Sequence, residues 1–151
     1  MAEEQKEEEQ KSERSKRGKR SRAQGKLFEN STRHDLEARG WIVCKWGNKV
    51  EFDEEGEGKL TIAKSKYNPF LKRVMNEGSG WPDHIAFRHN KEHPHLFDVM
   101  GFESKRAKYL DSAEKKMATW LLDNGIFAKI YVAYPIKIGR KNKIIYEEFL
   151  R

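Results

Sequence analysis

At 151 residues, 36% of them charged and 36% hydrophobic, the chain predicts one domain around one modest core, with no room for a second. A formal charge of +7 favours a polyanionic partner on electrostatic grounds without distinguishing DNA from RNA. No apolar run is long enough to span a membrane and the N-terminus is the most polar stretch, so the expectation is a soluble cytoplasmic protein without a signal peptide.

Residues 1–25 divide into two charged blocks. Glu3 to Glu13 carries six glutamates against two lysines, and Arg14 to Lys26 carries seven basic residues and no acidic one. Almost nothing apolar is present to offset the entropy of ordering, so an unordered tail is expected ahead of a folded domain at 26–151. In that tail Arg17, Lys19 and Arg20 are candidates for neutralising phosphates without reading bases. A solvated tail that aids solubility is the plainer alternative.

Leu27 to Arg39 reads as a helix stopped by Gly40. Trp41 to Trp46 is aromatic and β-branched and predicts a strand, with the single cysteine, Cys44, in its core and no intramolecular disulfide available. Val50 to Phe52 and Leu60 to Ala63 flank the turn-like Glu55-Gly-Glu-Gly58 as a hairpin. Asn68-Pro69 resembles an N-cap followed by a first helical position, so one or two helical turns are expected to Met75, with Gly78 beyond them. Basic and aromatic residues interleave here, which places Lys72 and Arg73 among candidates for nucleic-acid contact.

Gly78-Ser-Gly80 leads into Trp81-Pro-Asp83. His84 to Arg88 and Leu96 to Lys105 are then expected to pair antiparallel around a turn at Asn90–Pro94. Four of the five histidines, His84, His89, His93 and His95, fall in this region, but no cysteine accompanies them and their spacing matches no familiar zinc motif. Ser112 to Asp123 is the clearest helix, with Ala113, Met117, Trp120 and Leu121 on one face and Asn124-Gly125 as the stop. Phe127 to Tyr134 follows as a strand crossing back to the sheet. Lys137 to Lys143 forms a basic turn and Ile144 to Tyr146 a last strand.

The chemistry concentrates in Asp83, Glu103 and Lys105. Strand side chains alternate faces, so Glu103 and Lys105 point the same way and Ser104 the other. In an antiparallel pair the start of one strand adjoins the end of the next, which brings Asp83 to Glu103. Oxygen ligands from one or two carboxylates, completed by water and phosphate, suit magnesium better than zinc. Lys105 would orient or deprotonate a water, or stabilise charge on a phosphorane-like transition state. Asp98 lies five residues from Glu103 and falls on the opposite face of a regular strand.

Pro82-Asp83 with Glu103-x-Lys105 resembles the signature of the PD-(D/E)xK nuclease superfamily. The Gly-x-Pro-Asp approach, Gly80 to Asp83, is similar to that of archaeal Holliday-junction resolvases and VRR-NUC-like nucleases, over roughly Lys26 to Pro135. The resemblance implies an α/β (α+β), restriction-endonuclease-like fold, a mixed central sheet flanked by helices. It implies a Mg²⁺-dependent endonuclease, with Mn²⁺ as substitute, acting on branched or duplex DNA as a homodimer. It implies that Asp83 and Glu103 hold the metal, assisted by the Ser104 carbonyl, and that Glu29 on the first helix helps. Where the family often carries Gln, this chain has Glu114.

Each of these two glutamates has a plainer reading. Glu29 sits four residues from Arg33 as a surface pair, and Glu114 completes a capping box with Asp111. Arg106, Lys108 and Lys115 would ring the mouth of the site and meet the backbone of the nucleic acid. A non-catalytic nucleic-acid-binding protein is the alternative on the same fold.

Overall fold

The computed structural model describes residues 2–70, 72–76 and 80–151, so the Gly78-Ser79 approach lies outside the described residues. A first helix, α1, runs from Ala2 to Ala38. This differs from the expectation of an unordered tail through residue 25. The segment holds strong helix formers and no proline. Once the buried Thr32 and Leu36, the latter packed on the sheet, anchor the distal turns, each added residue costs little, because propagation is easier than nucleation. The basic block is exposed along its length, apart from the half-buried Gly18 and Gly25, so it forms a helix without forming core.

The end of α1 follows the sequence closely. Trp41 N–H donates to the Leu36 carbonyl (3.1 Å) and Gly40 N–H to that of Glu37 (3.0 Å), with Gly40 at φ +84. This double closure needs a left-handed residue at Gly40 and turns the chain directly into the sheet.

The sheet has five strands: β1 (Ile42–Lys45), β6 (His84–His89), β7 (Phe97–Ser104), β8 (Lys129–Ile138) and β9 (Lys141–Glu148), in that spatial order. Only β7 and β8 are parallel, and helix α2 (Ser112–Asp123) connects them, as such a crossover requires. The fold class is therefore the expected mixed α/β (α+β) arrangement. α1 covers one face, burying Leu36, Val43, Ala86 and Phe102. α2 covers the other, where Ala118, Leu121, Phe127, Ile130 and Val132 are buried with Val50 and Trp81. Ala118 and Leu121 are the fully buried residues of α2, whereas Ala113, expected on its apolar face, is exposed. Cys44 is exposed, not core. It alternates with Val43 on edge strand β1, and only the Val43 face lies under α1.

Between β1 and β6 the chain makes two hairpins that stay out of the main sheet. The first, β2 (Asn48–Phe52) with β3 (Gly58–Ile62), was expected. The second, β4 (Ser65–Asn68) with β5 (Arg73–Asn76), replaces the helical turns expected there. Asn68 Oδ1 accepts from Phe70 N–H (2.9 Å), and this short bond closes a turn as readily as it would cap a helix. The residues after Lys72 then extend and pair with β4.

The return from these hairpins is tight. A Cβ on Gly80 would lie 2.2 Å from the Trp46 carbonyl oxygen and 2.7 Å from that of Asn48, both main-chain atoms with no freedom to retreat. Gly47 has open space around it. Gly80→Ala is therefore expected to lower stability by about 2–3 kcal/mol, and Gly47→Ala by less than about 1 kcal/mol, in urea denaturation.

Candidate active site

The antiparallel register of β6 and β7 pairs His84 with Phe102, which sets Asp83 against Glu103 one step further on. The two are tied reciprocally. Asp83 N–H donates to Glu103 Oε2 (3.1 Å), and Ser104 N–H donates to Asp83 Oδ2 (2.9 Å). Ser104, expected to offer its carbonyl, thus meets Asp83 through its amide.

Lys105 follows by strand alternation onto the Glu103 side, where its Nζ lies 3.2 Å from Glu103 Oε1. It also donates to Glu114 Oε1. Glu114 completes the capping box read from sequence as well as contacting Lys105. Its Oε2 accepts from Asp111 N–H (2.9 Å) while its own N–H donates to Asp111 Oδ1 (2.9 Å), the reciprocal cap of α2. One oxygen caps the helix and the other holds Lys105.

Glu29 reaches the same strand ends from the α1 side. It lies 3.3 Å from Lys45 Nζ and 3.9 Å from His84 Nε2, and Arg33, its expected surface partner, instead binds Glu37 (2.9 Å). Lys45 was missed from sequence. It stands opposite His84 only because β1 pairs with β6 across thirty-odd intervening residues, a pairing that no local pattern signals. His84 is 3% exposed, and its Nδ1 has no hydrogen-bond partner among the described residues.

Burial governs the electrostatics. Glu103 is 5% exposed, and burial, then the neighbouring Asp83, push its pKa up to about 8 despite Lys105. Asp83 is also raised, by burial first and by the Glu29 charge among the opposing influences of Ser104, Lys105 and Lys45. Burial works against the Lys105 ammonium, yet Glu114 and Glu103 outweigh it and raise its pKa, so Lys105 stays charged. Burial lowers His84 and keeps it neutral.

A buried and a half-buried carboxylate in contact disfavour joint ionisation. Among the described residues no group of three or more His, Cys, Asp and Glu side chains forms a metal cage. Asp83 and Glu103 are thus the two carboxylates that face each other at these strand ends.

The other candidates are dispersed. Arg17, Lys19 and Arg20 are exposed on α1. Arg106 donates to Gln24 on that helix, just beyond Lys105. Lys108 binds Glu147 (2.8 Å) and lies over the Tyr134 ring, and Lys115 is exposed on α2. Lys72 is exposed in the β4–β5 turn, and the Arg73 side chain lies outside the described ones. Asp98 sits at the far end of β7, bonded to Asn90 (2.8 Å). The chain matches no protein-family model, no curated protein and no solved structure.

The raised Glu103 pKa makes a stability prediction. Between its unfolded value of 4.5 and about 8 the folded state holds the proton more tightly, so stability falls as pH rises and the loss is complete above about 8. His84 acts in the opposite sense only as pH falls below its unfolded value of 6.5. From about pH 6.5 to about pH 8.5 in chelator, wild type should lose about 2 kcal/mol relative to Glu103→Gln in denaturant titrations.

Proposed function

We propose that this protein is a metal-dependent nuclease that hydrolyses DNA phosphodiester bonds with Asp83, Glu103 and Lys105. One observation carries the reading: Asp83, Glu103 and Lys105 converge at one pair of strand ends with the carboxylates bound reciprocally and both pKa values raised. Such a pair is stabilised by a cation, and a cation polarises a phosphodiester toward attack by water.

Asp83 and Glu103 would hold Mg²⁺, with Mn²⁺ as substitute. When bound, the ion supplies positive charge that polarises the scissile phosphate and acidifies water. Lys105 is held as an ammonium by Glu103 and Glu114, so its role is to orient water and stabilise developing charge rather than to accept a proton. Glu114 positions Lys105 from the capped start of α2. Glu29 adds negative charge on the α1 side, held by Lys45.

The spacing Pro82-Asp83 with Glu103-x-Lys105, on a mixed sheet with a helix on each face, supports the resemblance to restriction-endonuclease-like nucleases. No helix among the described residues is long and apolar enough to cross a membrane. Action on branched or duplex DNA as a homodimer follows from the resemblance and is part of the proposal, as is a cytoplasmic location, which rests on the sequence composition.

The test is gel-resolved cleavage of labelled duplex, single-stranded, flap and four-way-junction DNA with Mg²⁺, Mn²⁺ or chelator. Metal-dependent cuts are expected for wild type. Asp83→Asn, Glu103→Ala and Lys105→Ala should each lose about 100-fold or more in rate. Symmetric cuts confined to the junction would establish the resolvase; intact DNA that is nonetheless bound would sink the catalytic reading in favour of a binding module.

A further inference from the structure

The β4–β5 hairpin is built differently from the rest of the molecule. It forms its own two-stranded sheet, and such a pair alone is marginal in water. Its described apolar side chains are nevertheless exposed: Phe70 is 95% exposed, Val74 63% and Tyr67 57%. Tyr67 and Val74 are paired across the hairpin and so share one face. Phe70 stands at the turn, where its N–H is fixed to Asn68 Oδ1 (2.9 Å).

The charge of the segment that carries these groups is of one sign. From Gly58 to Asn76 the sequence has five basic residues and no acidic one. Lys64 and Lys72, which flank the aromatics in sequence, are exposed. An aromatic platform inside a wholly basic segment is complementary to a chain that carries both flat π faces and phosphates. Double helices hide the faces of their bases; single strands and branch points present them.

We propose that the β4–β5 hairpin is a platform for unpaired nucleobases, with Phe70 and Tyr67 stacking on the bases and Lys64 and Lys72 meeting the phosphates. It extends the nucleic-acid reading given above by naming the substrate class: DNA with unpaired or unstacked bases. β5 ends at Asn76, ahead of Asp83 in the same chain, so hairpin and carboxylate pair belong to one continuous segment of sequence.

Binding of the full chain in EDTA tests this without cleavage. Fluorescein-labelled single strand, four-way junction and blunt duplex of equal length serve as probes, with 2-aminopurine in the single strand to report stacking. Phe70→Ala and Tyr67→Ala should weaken binding to single strand and junction by about tenfold or more, leave duplex binding unchanged, and abolish the 2-aminopurine response. Phe70→Ala should leave the salt dependence unchanged, whereas Lys72→Gln should reduce the log–log slope on single strands by roughly 0.7.

Equal affinities for wild type and both aromatic variants, or equal losses on duplex and single strand, would overturn the proposal. So would a wild-type dimer in sedimentation that Phe70→Ala converts to monomer, which would assign the face to a second copy of this chain. Melting temperatures of the variants guard against unfolding. The two readings fail separately: cleavage with unaffected binding removes only the hairpin platform, and binding without cleavage removes only the nuclease.

Discussion

The register between β6 and β7 is the constraint on which the site depends. It holds two carboxylates against each other in a place where neither ionises easily. Each accepts a main-chain N–H from the strand that carries the other, so neither can turn away without leaving an amide unpaired. Two like charges at this depth would open the strand ends if nothing opposed them. Lys105 opposes them from β7 itself, and Glu114 fixes Lys105 from α2. The placement of α2 follows in turn from the crossover that makes β8 parallel to β7.

The sheet divides the polar residues between its faces. Strand alternation gives Glu103, Lys105 and Glu114 to the α2 side, while Lys45, His84 and Glu29 meet on the α1 side. Four carboxylates, Glu29, Asp83, Glu103 and Glu114, thus stand around two ammonium groups, those of Lys45 and Lys105. The protein as a whole has the opposite balance, at +7. A polyanion drawn to the basic surface therefore meets a locally negative site. Under the proposed function a cation would lie between the two, which is the physical content of the proposed metal dependence.

What the sequence made legible was local. Helix α2 and its capping box, the glycine stop of α1, the β2–β3 hairpin and the Asp83–Glu103 pairing each rest on spacings of a few residues or on strand parity. What it hid depended on choices made at a distance. Asn68-Pro69 supports a helix start or a turn with the same side-chain bond, and only the pairing of β5 back onto β4 decides between them. Composition judged residues 1–25 by their inability to bury surface. Helix propagation from an anchored turn does not need burial. Cys44 looked like core because its neighbours are apolar, but β1 is an edge strand and α1 covers one face of it. Lys45 needed the β1–β6 pairing, which skips both hairpins.

The β2–β3 hairpin is also joined to the site mechanically. Gly58 of β3 lies against the Trp120 indole so closely that a Cβ there would fall 2.3 Å from Nε1, so the β2–β3 hairpin seats directly on α2. Lys116 of the same helix lies 4.0 Å from the centre of the Phe52 ring on β2. On the other side, Trp81 N–H donates to the Asn48 carbonyl (2.8 Å), which ties the start of β2 to the residues entering the site. The hairpin therefore braces both partners of the constellation: Asp83 through Trp81, and Lys105 through α2 and Glu114. A shift of α2 by one ångström would carry Glu114 with it, and the Lys105 ammonium would lose the partner that sets its place between the carboxylates. The segment that interrupts the sheet is thus part of what keeps the site assembled, a consequence of packing that leaves no independent freedom to helix, hairpin or strand end.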